Sequence, residues 1–311
     1  MQASDIGARP SVSLSQHEVP VEAPYRLDLT VSVLRRLSTN LVDVHTEHGE
    51  YVRVLAGSRK PVIARVAQVR SDMLTVTLEG EERARERGLA LVRRMLGVDR
   101  DLAHFDRAAA AIPWLNPLAV RMRGVRPPRY PTLWEACVNA IVFQQVSLHA
   151  ASAIMHRMIV ALQPPHDSGG VSLYQFPTAA MVLRTDDGLL RKAGLSSGKL
   201  ATLRRVGEAL AAGMLDETML EERASPDAAA LLREIKGIGP WTAAVILLRG
   251  LGRLDVFPMN DTSVARNLAL VAGAAPVDVE GVLHALSPQQ GMLYYHLLLA
   301  RLETRATRGE P

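Results

Sequence analysis

The stretch IKGIGPWTAAVILLRG, residues 235–250, decides how this chain is read. A helix ending at Glu234 meets Gly237 and Gly239, both able to take positive φ, and Pro240 opens a new helix where its missing N–H costs nothing. The pattern predicts two helices joined by a tight hairpin. The amides of Gly237, Gly239 and the first turn beyond, with the Thr242 hydroxyl and the adjacent Lys236, would face the positive end of a helix dipole. Such a site suits a phosphate oxygen. A bare Gly-x-Gly turn reads equally well as an ordinary glycine C-cap followed by proline at N1, so the glycines alone leave the function open.

Two further blocks flank the hairpin. Downstream, DVFPMND ends in Asp261, 22 residues after Gly239, and the apolar helical stretch TSVARNLAL follows it. The Asp261 carboxylate should therefore lie at or next to a helix N-terminus, as an ordinary N-cap or as a functional acid. Upstream, AIVFQQVSLHAA spans residues 140–151 inside a long helical pattern, Thr132 to Leu162, that reads as one helix or as two pieces. Pro and Gly stops part the other expected helices: Asp101 to Ala111, Asp186 to Ala193, Lys199 to Ala211, Asp227 to Glu234, Pro240 to Gly250, Thr262 to Val271 and Gln290 to Thr304. The segments LLRKAGLSSGKLATL and LLREIKGIGPWTAAV share a Leu-Leu-Arg opening before a Gly-containing turn. QPPHDSGG at 163–170 reads as a loop within an otherwise all-helical second half.

The first third differs. YRLDLTV, LVDVHT, YVRVLAG, PVIARVAQV and MLTVTLEG alternate in the manner of short strands between Tyr25 and Leu78, and an amphipathic helix follows from Glu81 to Leu96. The expected organisation is a polar tail over 1–22, a β-rich domain over 23–98, one helical lobe over 99–130 plus 255–305 carrying Asp261, a second over 131–254 ending in the hairpin, and a tail over 306–311. The fold class is α+β, mostly helical behind a small antiparallel sheet.

Composition narrows the function classes. With 311 residues and 48% hydrophobic content the chain can fill two or three cores, which excludes disorder as a whole. The longest apolar runs, such as Ala243 to Leu248, fall short of the ~20 residues of a membrane span. The polar N-terminus lacks the pattern of a secretory signal, so a cytoplasmic protein is expected. The lone Cys137 excludes disulfides, zinc fingers and cysteine-ligated clusters, and the nine histidines form no metal-ligand spacing. Of 36 basic residues 32 are Arg, against 32 acids, a mild sign of a polyanionic partner. Arg121, Arg123, Arg126 and Arg129 form an acid-free cluster, read as phosphate contacts or as a solvated loop. Arg233, Lys236, Arg249 and Arg253 form a second basic stretch.

Taken together, IKGIGPWTA, DVFPMND and AIVFQQVSLHAA resemble the helix-hairpin-helix DNA glycosylases, in which a Gly/Pro-rich loop and an essential aspartate follow the hairpin. The chain looks most like the bacterial 3-methyladenine DNA glycosylase II type, from about Leu102 to Leu302. The resemblance implies two helical lobes with a lesion cleft between them, double-stranded DNA as partner, a monomer, and no required cofactor. It implies Asp261 as the catalytic carboxylate, Gln145 as the wedge filling the gap left by an everted base, and Trp241, Phe143, Gln144 and Tyr294 around that base. Backbone carbonyls of Arg233, Ile235 and Gly237 would hold a monovalent cation, Na+ or K+. Relatives that also cleave the strand carry a lysine two residues after the second hairpin glycine. This chain has Trp241 there, which implies a monofunctional enzyme excising alkylated bases. Val245 and Gln289 stand where close relatives place further aromatics, so a glycosylase for an uncharged oxidised or deaminated purine is the alternative. A non-catalytic helix-hairpin-helix DNA-binding protein is the other, and Asp261 speaks against it. A regulator that also methylates promoters would need a reactive cysteine cluster.

Overall fold

The computed structural model describes residues 13–55, 61–259, 261–273 and 277–307. Five strands, β1 (Ser13–Pro20), β2 (Val44–His45), β3 (Tyr51–Leu55), β4 (Val62–Arg70) and β5 (Met73–Gly80), form an antiparallel sheet in the order β1-β5-β4-β3-β2. Its core-facing positions are those of a half-buried strand. Leu74, Val76 and Leu78 on β5 are buried, and the residues between them are partly exposed. The segment expected to be a polar tail thus contributes an edge strand, β1. Its single inward face, and a Leu14 that stays 66% exposed, left little hydrophobic signal.

The segment YRLDLTV is not a strand. Helix α1 (Leu27–Arg35) begins there and buries Leu27, Thr30, Val31 and Leu34, a helical spacing that its short apparent alternation concealed. Beyond the sheet come α2 (Glu82–Met95), α3 (Ala103–Ala110), α4 (Asn116–Arg121), α5 (Leu133–Val142) and α6 (Leu148–Leu162). A two-stranded hairpin of β6 (His166–Ser168) and β7 (Val171–Leu173) interrupts the helical half, inside and just after the segment read as a loop. There follow α7 (Ala179–Arg184), α8 (Asp187–Lys192), α9 (Ser197–Ala211), α10 (Glu217–Glu221), α11 (Ser225–Arg233), α12 (Pro240–Gly250), α13 (Thr262–Ala272), α14 (Val279–Leu286) and α15 (Gly291–Thr307).

Two large cores organise these elements. One joins the sheet and α2 to the helices from α5 to α12. The other gathers α3, α4 and α13–α15 around Phe105, Met292, Leu293 and Tyr295, and takes Val33 from α1 and Leu248 from α12. Helix α12 therefore faces both, and all but a few of its side chains are buried. Its Arg249 is wholly buried, donates to the Val33 carbonyl at 2.7 Å and lies 4.7 Å over the Tyr130 ring, which ties α12 to α1.

A buried ionic group fastens the sheet to α5. Arg53 on β3 donates to both Glu135 oxygens, at 2.6 and 2.5 Å, and to Asp43, which also accepts the Tyr51 hydroxyl at 2.7 Å. Removing one member would strand the others' charges away from water. Among the described residues, no helix is long and apolar enough to cross a membrane.

Candidate active site

The hairpin is built as its sequence requires, with one correction. Gly237 has φ +107°, and a Cβ there would meet the Thr202 hydroxyl of α9 at 2.0 Å, so the turn needs glycine for both conformation and closeness. Gly194, in the turn between α8 and α9, has the same φ. Gly239 does not use positive φ. It is the extended N-cap of α12, φ −93° and ψ −180°. A Cβ on it would touch nothing within 4 Å, which leaves its amide face open.

Of the expected phosphate ligands, Gly237 and Lys236 are exposed. Thr242 is not available through its side chain. It is 2% exposed, and its Oγ1 accepts from the Gln144 side-chain amide at 2.7 Å. The same amide donates to the Gly237 carbonyl at 3.0 Å, so Gln144 braces the turn from beneath. A buried hydroxyl is more stable paired inside than turned to a mobile ligand, and this pairing withdraws Thr242 from the surface.

The carbonyls proposed for a cation fit it only in part. Ile235 already accepts from the Ile238 amide at 3.0 Å and Gly237 accepts from Gln144. Each retains one further lone pair for an ion.

Asp261 stands at the N-terminus of α13, and its carbonyl accepts from Val264 and Ala265 at 2.9 and 3.3 Å. Its carboxylate Oδ2 accepts from the Trp241 indole N–H at 2.9 Å. Trp241 and Asp261 are each partly exposed. The first turn of the hairpin's second helix thus holds the carboxylate directly, and the indole restricts where that carboxylate can point. The loop residue before it, Asn260, lies outside the described residues.

Phe143 is the C-cap of α5 and opens the five-residue link to α6, in which Gln145 is the middle residue. Gln145 is exposed and has φ +53°, one of two non-glycine residues in positive φ among those described. Such a conformation costs on the order of 1 kcal/mol and persists where surrounding packing imposes it. The link is held on one side by Gln144 on the hairpin. On the other, Ser147 caps α6 by accepting the Ala150 amide at 3.2 Å. Gln145 is thereby presented to solvent beside the hairpin, with Val146, 38% exposed, next to it.

Tyr294 on α15 is partly exposed while Tyr295 is fully buried, with its hydroxyl donating to the Leu248 carbonyl at 3.2 Å. Burial raises the Tyr294 pKa, Arg36 pulls it down and Asp261 pushes it up, so the phenol lies within electrostatic reach of both charges. Val245 and Gln289 are not wall residues. Val245 is 3% exposed in the core, and Gln289 caps α3 by accepting the Phe105 amide at 2.8 Å and donating to the Asp101 carbonyl at 2.7 Å.

The basic clusters also need correction. Arg126 and Arg129 are 5% and 6% exposed. Arg126 pairs with Glu22, and Arg129 binds the Gly250 carbonyl and Glu217 at 2.9 and 3.0 Å. Arg121 pairs with Glu303, and of the four only Arg123 is exposed without a described partner. Arg249 is buried, and Arg253 clamps the carbonyls of Leu220, Glu221 and Arg223. No cluster of three or more His, Cys, Asp or Glu suited to a metal occurs among the described residues.

One residue of this region escaped the sequence reading. Arg36, just past α1, lies with its guanidinium carbon 4.3 Å from the Phe143 ring centroid. No local pattern could have found it, because 107 positions separate the two in sequence.

Comparison with known proteins places these features in a family. Residues 138–286 match the model described as HhH-GPD superfamily base excision DNA repair protein. Over 189 residues the chain is 33% identical to a probable bifunctional transcriptional activator/DNA repair enzyme AlkA of Mycobacterium tuberculosis, covering 59% of this chain and 37% of that protein. Over 191 residues it is 26% identical to a DNA-3-methyladenine glycosylase of Bacillus subtilis, covering 61% of this chain and 63% of that one. The chain thus matches about a third to just under two thirds of the length of these curated relatives. Its fold matches that of a 3-methyladenine DNA-glycosylase from Archaeoglobus fulgidus with a TM-score of 0.77, at 22% identity, over 92% of this chain and 98% of the other. The hairpin, the Asp261 cap and the link carrying Gln145 all begin or end within the matched span, and the chain accordingly carries a domain of the HhH-GPD superfamily of base excision DNA repair proteins.

Proposed function

We propose that this chain is a monofunctional DNA glycosylase that hydrolyses the N-glycosidic bond of alkylated bases in duplex DNA. The observation that carries this reading is the Asp261 carboxylate, held by the Trp241 indole N–H beside the hairpin. A protein that only gripped DNA would gain nothing from a fixed carboxylate there, since it repels phosphate. The names of the mycobacterial and Bacillus relatives support the same chemistry.

Breaking the C1′–N bond sends the electron pair to the departing base and builds positive charge on the deoxyribose. A fixed anion near the sugar favours that transition state over the ground state. At ~4 Å and an effective dielectric of ~20, opposite unit charges attract by about 4 kcal/mol before the cost of desolvation. Water then forms the new C1′–O bond, and the Asp261 carboxylate is placed to orient it or to take its proton. The hairpin amides and Lys236 grip the phosphate backbone, and Gln145 fills the space left by the everted nucleotide, whose extrusion costs a few kcal/mol. Gln144 acts behind this surface as a brace. A cation at the hairpin carbonyls would strengthen the grip on phosphate, and no chemical step depends on it.

Strand cleavage is not part of the proposal, because the position of the lysine nucleophile holds Trp241. Lys199, on α9 near the link, is occupied in donating to the Val142 carbonyl at 2.8 Å. The test is release of free bases from methylated duplex DNA by the unaltered chain and by Asp261→Asn, with alkaline cleavage reporting abasic sites and borohydride reduction reporting a covalent enzyme–DNA adduct. Release of N3-methyladenine or N7-methylguanine, its loss in the variant by a factor of at least 100, and no trapped adduct are expected. DNA binding by both proteins without any release would overturn the enzymatic reading, and a trapped adduct would overturn the monofunctional one.

A further inference from the structure

An open cleft of about 480 Å3 lies between the end of α1 with the segment after it and the helices α5 and α6. Its lining includes neither Asp261 nor Trp241, and its volume is in the range of small-molecule sites. Both sides are held in place. Asn40 fixes the segment after α1 by accepting the Val42 and Asp43 amides at 2.9 and 3.0 Å and donating to the Arg35 carbonyl at 3.2 Å. His156 on α6 bonds the Thr39 carbonyl at 3.3 Å, and the Leu41 carbonyl accepts from the Tyr174 amide at 3.2 Å. Phe143, Phe176, Met155 and Ile159 supply apolar wall.

The polar groups of this cleft divide into two sets. Its acids are satisfied: Glu135 accepts from Arg53 with both oxygens, and Asp43 accepts from Arg53, from the Tyr51 hydroxyl at 2.7 Å and from Asn40 at 3.4 Å. Its donors are not. The Nε atoms of Arg35 and Arg36 and the Tyr130 hydroxyl are buried without a hydrogen-bond partner among the described residues. Tyr130 is 2% exposed, and Arg36, Asp43 and Glu135, which act on the charge of its phenol, all line the cleft, so the hydroxyl end faces that side. Protein interiors pair their buried donors, and three unmet donors around one cleft suit a ligand that accepts. The Arg36 guanidinium carbon sits 4.3 Å from the Phe143 ring centroid, and a guanidinium over a ring keeps the N–H groups of its edge for the two oxygens of one group. Charge decides which group. With both acids ionised, Arg35, Arg36 and Arg53 against Asp43 and Glu135 leave a single positive charge. A carboxylate matches it, whereas a phosphate monoester brings about −1.5 to −2.

We propose that this cleft binds an aromatic monocarboxylate, with the ring among its apolar walls and the carboxylate on Arg36 and the Tyr130 hydroxyl. The site is separate from Asp261 and goes beyond the glycosylase reading, on which it does not depend.

The test is a ligand-observed NMR titration of benzoate, benzamide and phenyl phosphate against the unaltered chain, Arg36→Met, Tyr130→Phe and Asp261→Asn. It is run at pH 8, above the value of about 7 to which burial raises the Glu135 pKa. The unaltered chain is expected to bind benzoate about tenfold more tightly than either benzamide or phenyl phosphate, as a charge-assisted hydrogen bond requires. Arg36→Met should remove that preference, and Asp261→Asn should leave it unchanged. Tyr130→Phe should weaken benzoate a few-fold without lowering the melting temperature, because the hydroxyl it deletes has no partner in the fold. Should Arg36→Met fail to fold, Tyr130→Phe decides. Absence of saturable benzoate binding, equal binding of the amide, tighter binding of the phosphate, or affinity unchanged by Tyr130→Phe overturns the proposal. Loss of binding in Asp261→Asn overturns it as well, since the cleft would then belong to the reaction centre.

Discussion

The hydrogen bond from Trp241 to Asp261 makes one side chain serve two ends. Its N–H fixes the Asp261 carboxylate, and under the proposed function its ring borders the place for the base while that acid faces the sugar. Trp241→Phe separates these roles, since it keeps an aromatic face and deletes the donor. A hydrogen bond to a charged acceptor contributes about 1.5–3 kcal/mol. If Asp261 must be aimed, the variant should lose roughly ten- to a hundredfold in single-turnover rate with little change in DNA affinity, and comparing rate with binding isotherms on a methylated duplex checks it. Asp261 was legible in the sequence because its spacing from the hairpin and the apolar helix after it are local features. Its bond to Trp241 was not legible, because nothing in a linear reading tells which edge of an indole will face a carboxylate 20 positions away. Thr242 shows the same limit from the other side. Its place in the first turn of a helix promised an exposed hydroxyl, and the Gln144 amide, 98 positions earlier, turned that hydroxyl inward.

At the scale of elements, the hairpin was the most readable part of the chain. Helix α12 has the bounds its sequence announces, Pro240 and Gly250, since proline and glycine act through local conformation alone. The glycine at the turn is fixed by both angle and space, so Gly237→Ala would face positive φ and a Thr202 side chain at 2.0 Å. We expect a loss of roughly 2–4 kcal/mol in unfolding free energy, measured by chemical denaturation, together with weaker DNA binding as the turn shifts. Gly239→Ala should cost well under 1 kcal/mol in the same measurement, because its backbone is extended and its surroundings are open. Elements whose identity depends on distant partners were misread. Seven residues of apparent alternation from Tyr25 belong largely to α1, which the Arg249 contact to Val33 helps hold as a helix against the second core. The short helices α4, α7, α10 and α14, of 6, 6, 5 and 8 residues, also went unread.

For the whole molecule, both cores depend on groups that the sequence could not show to be buried. His296 on α15 is 2% exposed, stacks on Phe105 with ring centroids 4.7 Å apart, and shares its Nδ1 proton with the Met292 carbonyl at 2.8 Å. Burial lowers its pKa from 6.5 to about 4. The folded protein therefore binds this proton less readily than the unfolded chain. The stability His296 contributes is fully present above about pH 6.5 and is lost as pH falls through about 4, to a limit of roughly 3 kcal/mol. Thermal unfolding scanned from pH 7 to 4 should show this decline, and His296→Phe, which keeps a ring against Phe105, should flatten it. The division into a sheet and a helical body was legible because each has its own hydrophobic period. The fastening between them was not, since Asp43, Arg53 and Glu135 look like surface residues in any linear reading. The brace formed by Gln144 has a mechanical consequence for the working protein. One amide group holds the turn that, under the proposed function, grips the backbone of the nucleic acid, and it sits next to Gln145, the residue proposed to plug the stack, so that grip and plug would form a single stiff tool. A tug on the strand at one end would then be delivered as thrust at the other, and a protein scanning along DNA with such a tool would probe the strength of each base pair simply by holding on.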